Sequence, residues 1–307
     1  MAKSIADEYD FLFYSKHGEL TEEAIEAIRS GRVKRYRVKE IKSGPAVPGG
    51  PEVLEVEIYP IWDCNNAVRE NRGKPTTEAQ REVNKRNAEK TLFRKMECNF
   101  IPGVDLYVTL SYKGRRAPKE EQAYRDIANF IRRVKRYLIK HGLPELKYIY
   151  VTEFEGPNLQ KVRIHHHVIM SGTGLDEKTI KHLWGKGRVH CRLLEPDEKG
   201  FIALTKYVLK TPHGNGGKRW RCSQNLIDPE QNVSETHIGR RRAERMASDM
   251  EESASKIFSK RYGAYELIDV EVHKPTMDKP LPGVYIYAKM YKPGKEKKRR
   301  KWWWWRR

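Results

Sequence analysis

The chain's 307 residues are enough for one large domain or two modest ones with a hydrophobic core. Its 61 lysines and arginines exceed its 41 acidic residues by 20, which predicts a polyanionic partner, with nucleic acid favoured over an anionic membrane. No run of about twenty apolar residues occurs, so no transmembrane segment is expected.

The first residues and the cysteines predict a cytoplasmic, reducing environment. Residues 1–7 lack the apolar stretch of a signal peptide, so we expect the protein to remain in the cytoplasm. The four cysteines form no CxxC pair, which argues against a zinc ribbon and against a disulfide framework. We therefore expect free, reduced thiols.

The first third of the chain predicts a short helix, a β-hairpin and a long basic helix. The short helix covers residues 21–29, and the hairpin pairs residues 33–41 with 53–59 around a segment rich in proline and glycine. The long helix covers residues 75–99. Its many lysines and arginines are typical of a solvated face, and a surface that contacts the DNA backbone is the alternative.

The central part of the chain predicts an alternation of strands and helices. In chain order these are a strand at residues 104–112, a helix at 118–142, two strands at 148–154 and 162–170, a helix from Asp176 to Trp184, a strand at 188–194 and a helix at 201–210. The two consecutive strands are expected to form a hairpin. This order predicts an α+β fold in which a central antiparallel sheet carries helices on one face, with the metal ligands proposed below on the other.

The second strand of the predicted hairpin contains three consecutive histidines. Side chains alternate along a strand, so His165 and His167 project from one face, whereas His166 shares the other face with apolar residues. Two imidazoles two residues apart are a suitable pair of metal ligands, and a divalent ion also favours a carboxylate. Glu153 in the preceding strand is expected on the same face, one diagonal step from His165, with Glu155 as the alternative ligand.

Taken alone, the histidines fit solvated polar residues as well as a metal site, and a second motif favours the metal site. In the helix at residues 201–210, Tyr207 and Lys210 lie three positions apart and so share one face. The alternative is a tyrosine packed under the sheet, with Lys210 in solvent.

Residues beyond this helix predict a nucleic-acid contact and a further region of structure. The loop at residues 213–226 combines glycines with basic and aromatic residues, which suits a single strand of nucleic acid, although an ordinary flexible loop fits equally well. The side chains expected to contact DNA are Arg163 and Lys206 beside the two motifs, and Lys218, Arg219, Trp220 and Arg221 in the loop. A charged helix at residues 234–262 and two strands at 265–273 and 283–291 should follow.

Three motifs in this order resemble those of the rolling-circle replication initiators of phages and plasmids, in the HUH endonuclease superfamily. The strand from Tyr107 to Tyr112 is similar to the first motif, His165-His166-His167 to the metal motif, and the segment from Tyr207 to Lys210 to the Tyr-x-x-Lys motif of the single-tyrosine subgroup. The basic helix and the loop also resemble replication-associated proteins of phages and mobile elements. One position departs from the pattern, because the middle of the metal motif is usually a bulky hydrophobic residue and here is His166.

The resemblance implies a site-specific endonuclease and strand transferase that acts on single-stranded DNA in a bacterial host cell. Glu153, His165 and His167 would hold a divalent ion, Mg²⁺ or Mn²⁺. Tyr207 would attack the scissile phosphate with help from Lys210, giving a 5′-phosphotyrosyl link and a free 3′-hydroxyl. The main partner would be single-stranded DNA at a replication origin, with host helicase and polymerase as further partners.

Two other functions stay open at this point. A relaxase or a single-tyrosine transposase shares this chemistry, although relaxases usually place the tyrosine before the metal motif. The second is a non-catalytic nucleic-acid-binding or structural protein that keeps the fold and has lost the cutting activity.

These elements divide the chain into four expected regions. Residues 1–74 form a β-rich N-terminal extension, and residues 75–230 form the endonuclease domain with its leading basic helix. Residues 231–293 form a C-terminal helix and β-hairpin, and residues 294–307 form a basic, tryptophan-rich tail.

The tail suggests a contribution to DNA binding that is independent of sequence. Residues 295–307 contain eight basic residues, one glutamate and four tryptophans, which suits counterion release at phosphates and stacking on unpaired bases. An inert extension and an anchor at a membrane surface are the alternatives. Single-strand affinity against salt, and binding to anionic vesicles, would separate the three when the full chain is compared with one ending at Gly294.

Overall fold

The structure is a computed structural model that describes residues 35–46, 50–61, 78–114, 118–155, 161–172, 174–195, 201–208, 220–248, 252–274 and 283–294. These residues fold into two compact units, of which one contains Glu89–Asp228 and the other contains the described residues on either side of it. The predicted helix at residues 21–29 and the tail at residues 295–307 lie outside the described residues.

The described residues form ten strands and six helices, which confirms the α+β class. In chain order they are β1 (Arg35–Ser43), β2 (Glu52–Ile61), α1 (Glu78–Asn99), β3 (Leu106–Ser111), α2 (Glu120–Lys140), β4 (Tyr148–Glu155), β5 (Lys161–Met170), α3 (Glu177–Trp184), β6 (Val189–Leu193), α4 (Ile202–Val208), β7 (Arg221–Cys222), β8 (Glu230–Ser234), α5 (Arg240–Met246), α6 (Glu252–Arg261), β9 (Glu266–His273) and β10 (Tyr285–Lys292). None of the described helices is long and apolar enough to cross a membrane. The described cysteines Cys98, Cys191 and Cys222 are free, as predicted.

The central unit contains an antiparallel sheet with the strand order β6, β3, β5, β4, β7. One face of this sheet packs against α2 and α3. The apolar stripe predicted for α2 is present, and its buried side chains are Ala123, Ile127, Ile131, Val134 and Leu138. From β5, Ile164, Val168 and Met170 join the same core, as strand alternation predicts. Burying such a side chain contributes about 1.5–3 kcal/mol, so this stripe fixes which face of the sheet stays accessible.

The β4–β5 hairpin is present, but its register differs from the expected one. Glu153 pairs directly with His165, whereas we expected it one diagonal step away. The pairing shifts between Glu153 and Glu155, at an irregularity of the β-bulge type near the end of β4. Directly opposite residues have Cβ atoms about 4.5–5.5 Å apart, against about 7–8 Å on the diagonal, so the carboxylate comes closer to His165 than predicted.

The second unit joins the two ends of the chain in one sheet. Its antiparallel strands follow the order β8, β1, β2, β10, β9. Because β2 from the N-terminal hairpin pairs with β10 from the C-terminal region, the described parts of these two regions form a single sheet. Apolar side chains from its strands share a core with α5 and α6.

The single charged helix predicted at residues 234–262 is wrong. The chain instead forms β8 against β1 and then two shorter helices, α5 and α6. Gly239 holds extended backbone at the N-cap of α5, with φ −77° and ψ 162°, so helical structure begins only after it. The two helices bury separate short apolar groups, Ala243 and Met246 in α5 and Ala254 and Phe258 in α6.

Gly187 lies between α3 and β6, where the chain passes closest to β3. A Cβ atom at this position would lie 2.0 Å from the backbone oxygen of Ser111. That oxygen also accepts a 2.8 Å hydrogen bond from Trp184 Nε1. Gly187 is therefore needed where the two backbones approach, and it keeps β6 paired with β3.

We expect Gly187→Ala to lower the free energy of unfolding by about 1–3 kcal/mol, because the added methyl group forces the backbones apart. Gly263→Ala is the control, since a Cβ atom there meets Ser259 O at an ordinary 3.4 Å. Urea unfolding followed by circular dichroism measures both variants. Equal midpoints for the two variants would contradict the close approach at Gly187.

Candidate metal centre

Glu153, His165 and His167 form the one cluster of three possible metal ligands that the described residues contain. Their donor atoms all lie within 4.8 Å of one another. Oε2 of Glu153 is 2.8 Å from Nε2 of His165 and 3.1 Å from Nε2 of His167. The structure therefore brings together the three side chains that the sequence predicts as ligands.

Hydrogen bonds on the far side of each imidazole ring fix how the two histidines face the carboxylate. Nδ1 of His165 donates to the backbone oxygen of Arg163 at 2.8 Å. Nδ1 of His167 lies 2.5 Å from Oη of Tyr107. Partners of this kind orient a ligating histidine and select the tautomer with its lone pair on Nε2.

The donor set of this cluster fits a cation. Because a carbonyl oxygen can only accept, the Nδ1 atom of His165 carries the proton, and Nε2 of the neutral ring has a lone pair. That lone pair faces a carboxylate oxygen 2.8 Å away, and two acceptors at this distance are stabilised only by a proton or a metal cation between them. Two imidazoles and a carboxylate are ligands that divalent transition metals accept, and the carboxylate also suits Mg²⁺ and Mn²⁺.

The cluster is buried on one side and accessible on the other. The side chains of Glu153 and His167 are 5% and 3% exposed, whereas that of His165 is 24% exposed. A buried carboxylate needs compensating charge or hydrogen bonds. A substrate would therefore reach the cluster from the side of His165.

His166 lies on the opposite face, in the core between the sheet and its helices. Its Nδ1 is 2.9 Å from the Thr152 hydroxyl, and its Nε2 is 2.9 Å from the Tyr112 hydroxyl. Burial, with smaller contributions from neighbouring charges, lowers the pKa of His166 to about 3, so the ring is neutral. The polar residue at this position of the motif is thus accommodated by two hydroxyl partners and by the edge of the Trp184 ring.

Tyr207 lies on the same side of the sheet as the cluster. Its ring centroid is 5.7 Å from that of His167, with 67° between the ring planes, and its side chain is 50% exposed. Helix α4 is held in place at its start, where the backbone N–H of Phe201 donates to Glu97 Oε1 at 2.8 Å. Since α4 lies on this side of the sheet and α2 and α3 on the other, the sheet has helices on both faces.

The remaining predicted contact residues divide into two groups. Lys210, Lys218 and Arg219 lie outside the described residues, as do the side chains of Glu155 and Lys206. Arg163 is exposed and follows the cluster's side of β5, where its guanidinium donates to the backbone oxygens of Tyr112 and, at 2.8 Å, of Gly114. Arg163 therefore lies beside the cluster and also ties β5 to the end of β3.

Arg221 is not brought to the cluster. It pairs with Tyr150, whose side chain belongs to the helix-side core, and its guanidinium carbon lies 5.2 Å from the centroid of the Tyr124 ring. Trp220, directly before it, is partly buried. Any contact between Arg221 and DNA would take place at the β7 edge, on the other face of the sheet.

Tyr107 is a residue that the sequence reasoning did not assign to the site. It lies on β3 with its hydroxyl against His167 and its ring stacked on the imidazole, with 5.6 Å between centroids. Burial is the main cause that raises the pKa of Tyr107, so its hydroxyl stays protonated at neutral pH. Strand alternation in β3 was the available signal, because Tyr107, Thr109 and Ser111 share the cluster's face.

Comparison with known proteins agrees with this geometry. Residues 105–212, which include the three possible ligands and Tyr207, match a family model described as replication-associated protein ORF2. No curated protein and no solved structure matches the chain. The match supports a replication initiator, in agreement with the resemblance of the motifs.

We expect Glu153→Gln to weaken Mn²⁺ binding by at least tenfold, or about 1.4 kcal/mol, because a neutral amide replaces the carboxylate between the two imidazoles. Glu155→Gln is the matched control and should have the smaller effect. Isothermal titration calorimetry of the full chain measures both affinities. A larger loss from Glu155→Gln would refute the assignment of Glu153 as the ligand.

Proposed function

We propose that this protein is a metal-dependent endonuclease that cuts single-stranded DNA and becomes linked to the 5′ end of the cut through Tyr207. The observation that carries the proposal is the position of the half-exposed Tyr207 ring, 5.7 Å from the His167 ring of the cluster. The replication-associated family model over the same residues supports it. In this role the protein initiates rolling-circle replication at an origin.

Glu153, His165 and His167 would hold a divalent cation, Mg²⁺ or Mn²⁺. When bound, such a cation polarises the scissile phosphate and offsets negative charge on the leaving oxygen. Tyr107 and the backbone oxygen of Arg163 keep the two imidazoles turned toward Glu153. The ligands are carried by two paired strands, so their spacing is already set before DNA binds.

Tyr207 supplies the nucleophile. Its Oη forms a bond to phosphorus while the bond from phosphorus to the 3′ oxygen breaks, which leaves a 5′-phosphotyrosyl link. The phenolic proton passes to solvent, and the 3′ oxygen takes up a proton to become a hydroxyl. Because an ordinary phenol has a pKa near 10, it needs assistance at neutral pH. Lys210, three residues later, is proposed to stabilise the phenolate or to bind the phosphate.

The other tyrosines around the sheet are less suitable nucleophiles. Tyr107 is buried, and its hydroxyl is engaged with His167. Tyr148 and Tyr150 pack on the helix side of the sheet, on the face opposite the cluster. This geometry favours Tyr207, whose ring is both exposed and adjacent to the cluster.

We expect Tyr207→Phe to bind single-stranded DNA but to form no covalent adduct, because only the hydroxyl is lost. Tyr148→Phe removes the same group on the opposite face and should form the adduct as the unsubstituted chain does. The measurement uses a labelled single-stranded oligonucleotide with Mn²⁺ and a denaturing gel. An adduct in Tyr207→Phe would place the nucleophile elsewhere, and DNA binding without any adduct in the unsubstituted chain would favour a non-catalytic binding protein.

A further inference from the structure

The edge strand β6 and the residue before it present a row of basic side chains. Arg188, His190 and Arg192 are exposed, and they alternate with residues that face the other way. Those alternate residues, Val189 and Cys191, pack against the core shared with α2 and α3. The strand is therefore apolar on its helix side and basic on the other.

The basic side of β6 is the side that carries the metal cluster. His190 pairs with Thr109 of β3, and Thr109 pairs in turn with His167 of β5, so the two histidines lie in one row across the sheet. Two strand spacings separate them, which is roughly 10 Å. Arg192 lies opposite Tyr107 in the next row on this face. The basic row thus runs along β6 beside the cluster.

The charge and orientation of the row suit an extended phosphate backbone. Arginine presents a planar set of donors that matches phosphate oxygens. Arg192 Nε donates to His190 Nε2 at 2.9 Å, so His190 acts as a positioning residue that fixes the plane of the guanidinium. Among the described side chains on this face of the strands, Glu153 is the single carboxylate, and it belongs to the metal cluster.

We propose that Arg188, His190 and Arg192 form a phosphate-binding track, called here the β6 track, that holds the single strand of DNA beside the cluster. The identity of the ligand as single-stranded DNA rests on the proposed function. Contacts to phosphates position a strand without reading its sequence. The β6 track therefore adds affinity and alignment, whereas the choice of origin depends on other residues.

Charged side chains on an edge strand also have a simpler role, because they prevent the edge from pairing with another chain. That role can be filled by charges on either face of the strand. In β6 the basic residues all share the cluster's face, and the opposite positions are apolar. This one-sided arrangement is what favours a ligand over edge protection alone.

The test is fluorescence anisotropy of a labelled single-stranded oligonucleotide with the full chain in EDTA, between roughly 50 and 200 mM salt. For Arg188→Gln with Arg192→Gln, we expect weaker binding and a slope of log K against log salt that is shallower by about 1.4, or about 0.7 for each lost phosphate contact. The matched control is Arg132→Gln with Arg136→Gln, which removes the same charge from exposed positions of α2. The control should change the slope by less than half as much.

Equal changes in the two pairs would show that only total charge matters and would overturn the β6 track, as would an unchanged slope in the first pair. Binding in EDTA requires neither metal nor cleavage, so this result is independent of whether Tyr207 forms an adduct. With Mn²⁺, the β6 variant should need more DNA for half-maximal adduct formation and should reach the same rate at saturation. A lower rate at saturation with unchanged DNA demand would also contradict a binding role.

Discussion

The alternation of side chains along β5 is the constraint on which the site and the core both depend. Consecutive histidines alternate between faces, so His165 and His167 meet Glu153 while His166 enters the core with Thr152. A slip of one residue would exchange the two sets, because the side-chain period of a strand is two. It would bury two imidazoles among apolar residues and leave the carboxylate facing a single ring. The hydroxyls that bind His166 therefore specify the same register that assembles the cluster.

The cluster and the proposed nucleophile belong to different kinds of structural element. Glu153 and the two outer histidines are carried by paired strands, which hold their spacing, whereas Tyr207 is carried by the seven-residue helix α4. That helix begins at a buried phenylalanine whose backbone is bound by Glu97 of α1. The arrangement separates the two tasks, since the strands organise charge around the phosphate while α4 presents an exposed hydroxyl to it.

The sequence predicted the elements and faces of the central sheet because hydrophobic periodicity and strand alternation are local properties. It placed Glu153 diagonally to His165, since the irregularity before Glu155 changes the pairing and leaves no mark in the apolar pattern. It also missed β8, whose polar sequence becomes a strand only through pairing with β1. The pairing of β2 with β10 joins residues more than two hundred positions apart, and no local pattern reports such contacts. Arg221 was expected beside the cluster, but pairing with Tyr150 turns it to the other face.

The central claim is that Tyr207, beside the carboxylate and the two imidazoles, forms the covalent bond to DNA. Its most direct test is proteolytic digestion of the complex made by the full chain with a single-stranded oligonucleotide and Mn²⁺, followed by mass spectrometry of the peptide that carries the nucleotide. The account predicts a phosphodiester-linked nucleotide on Tyr207, attached through its 5′ phosphate. A nucleotide on any other residue, or a linkage through a 3′ phosphate, would contradict it.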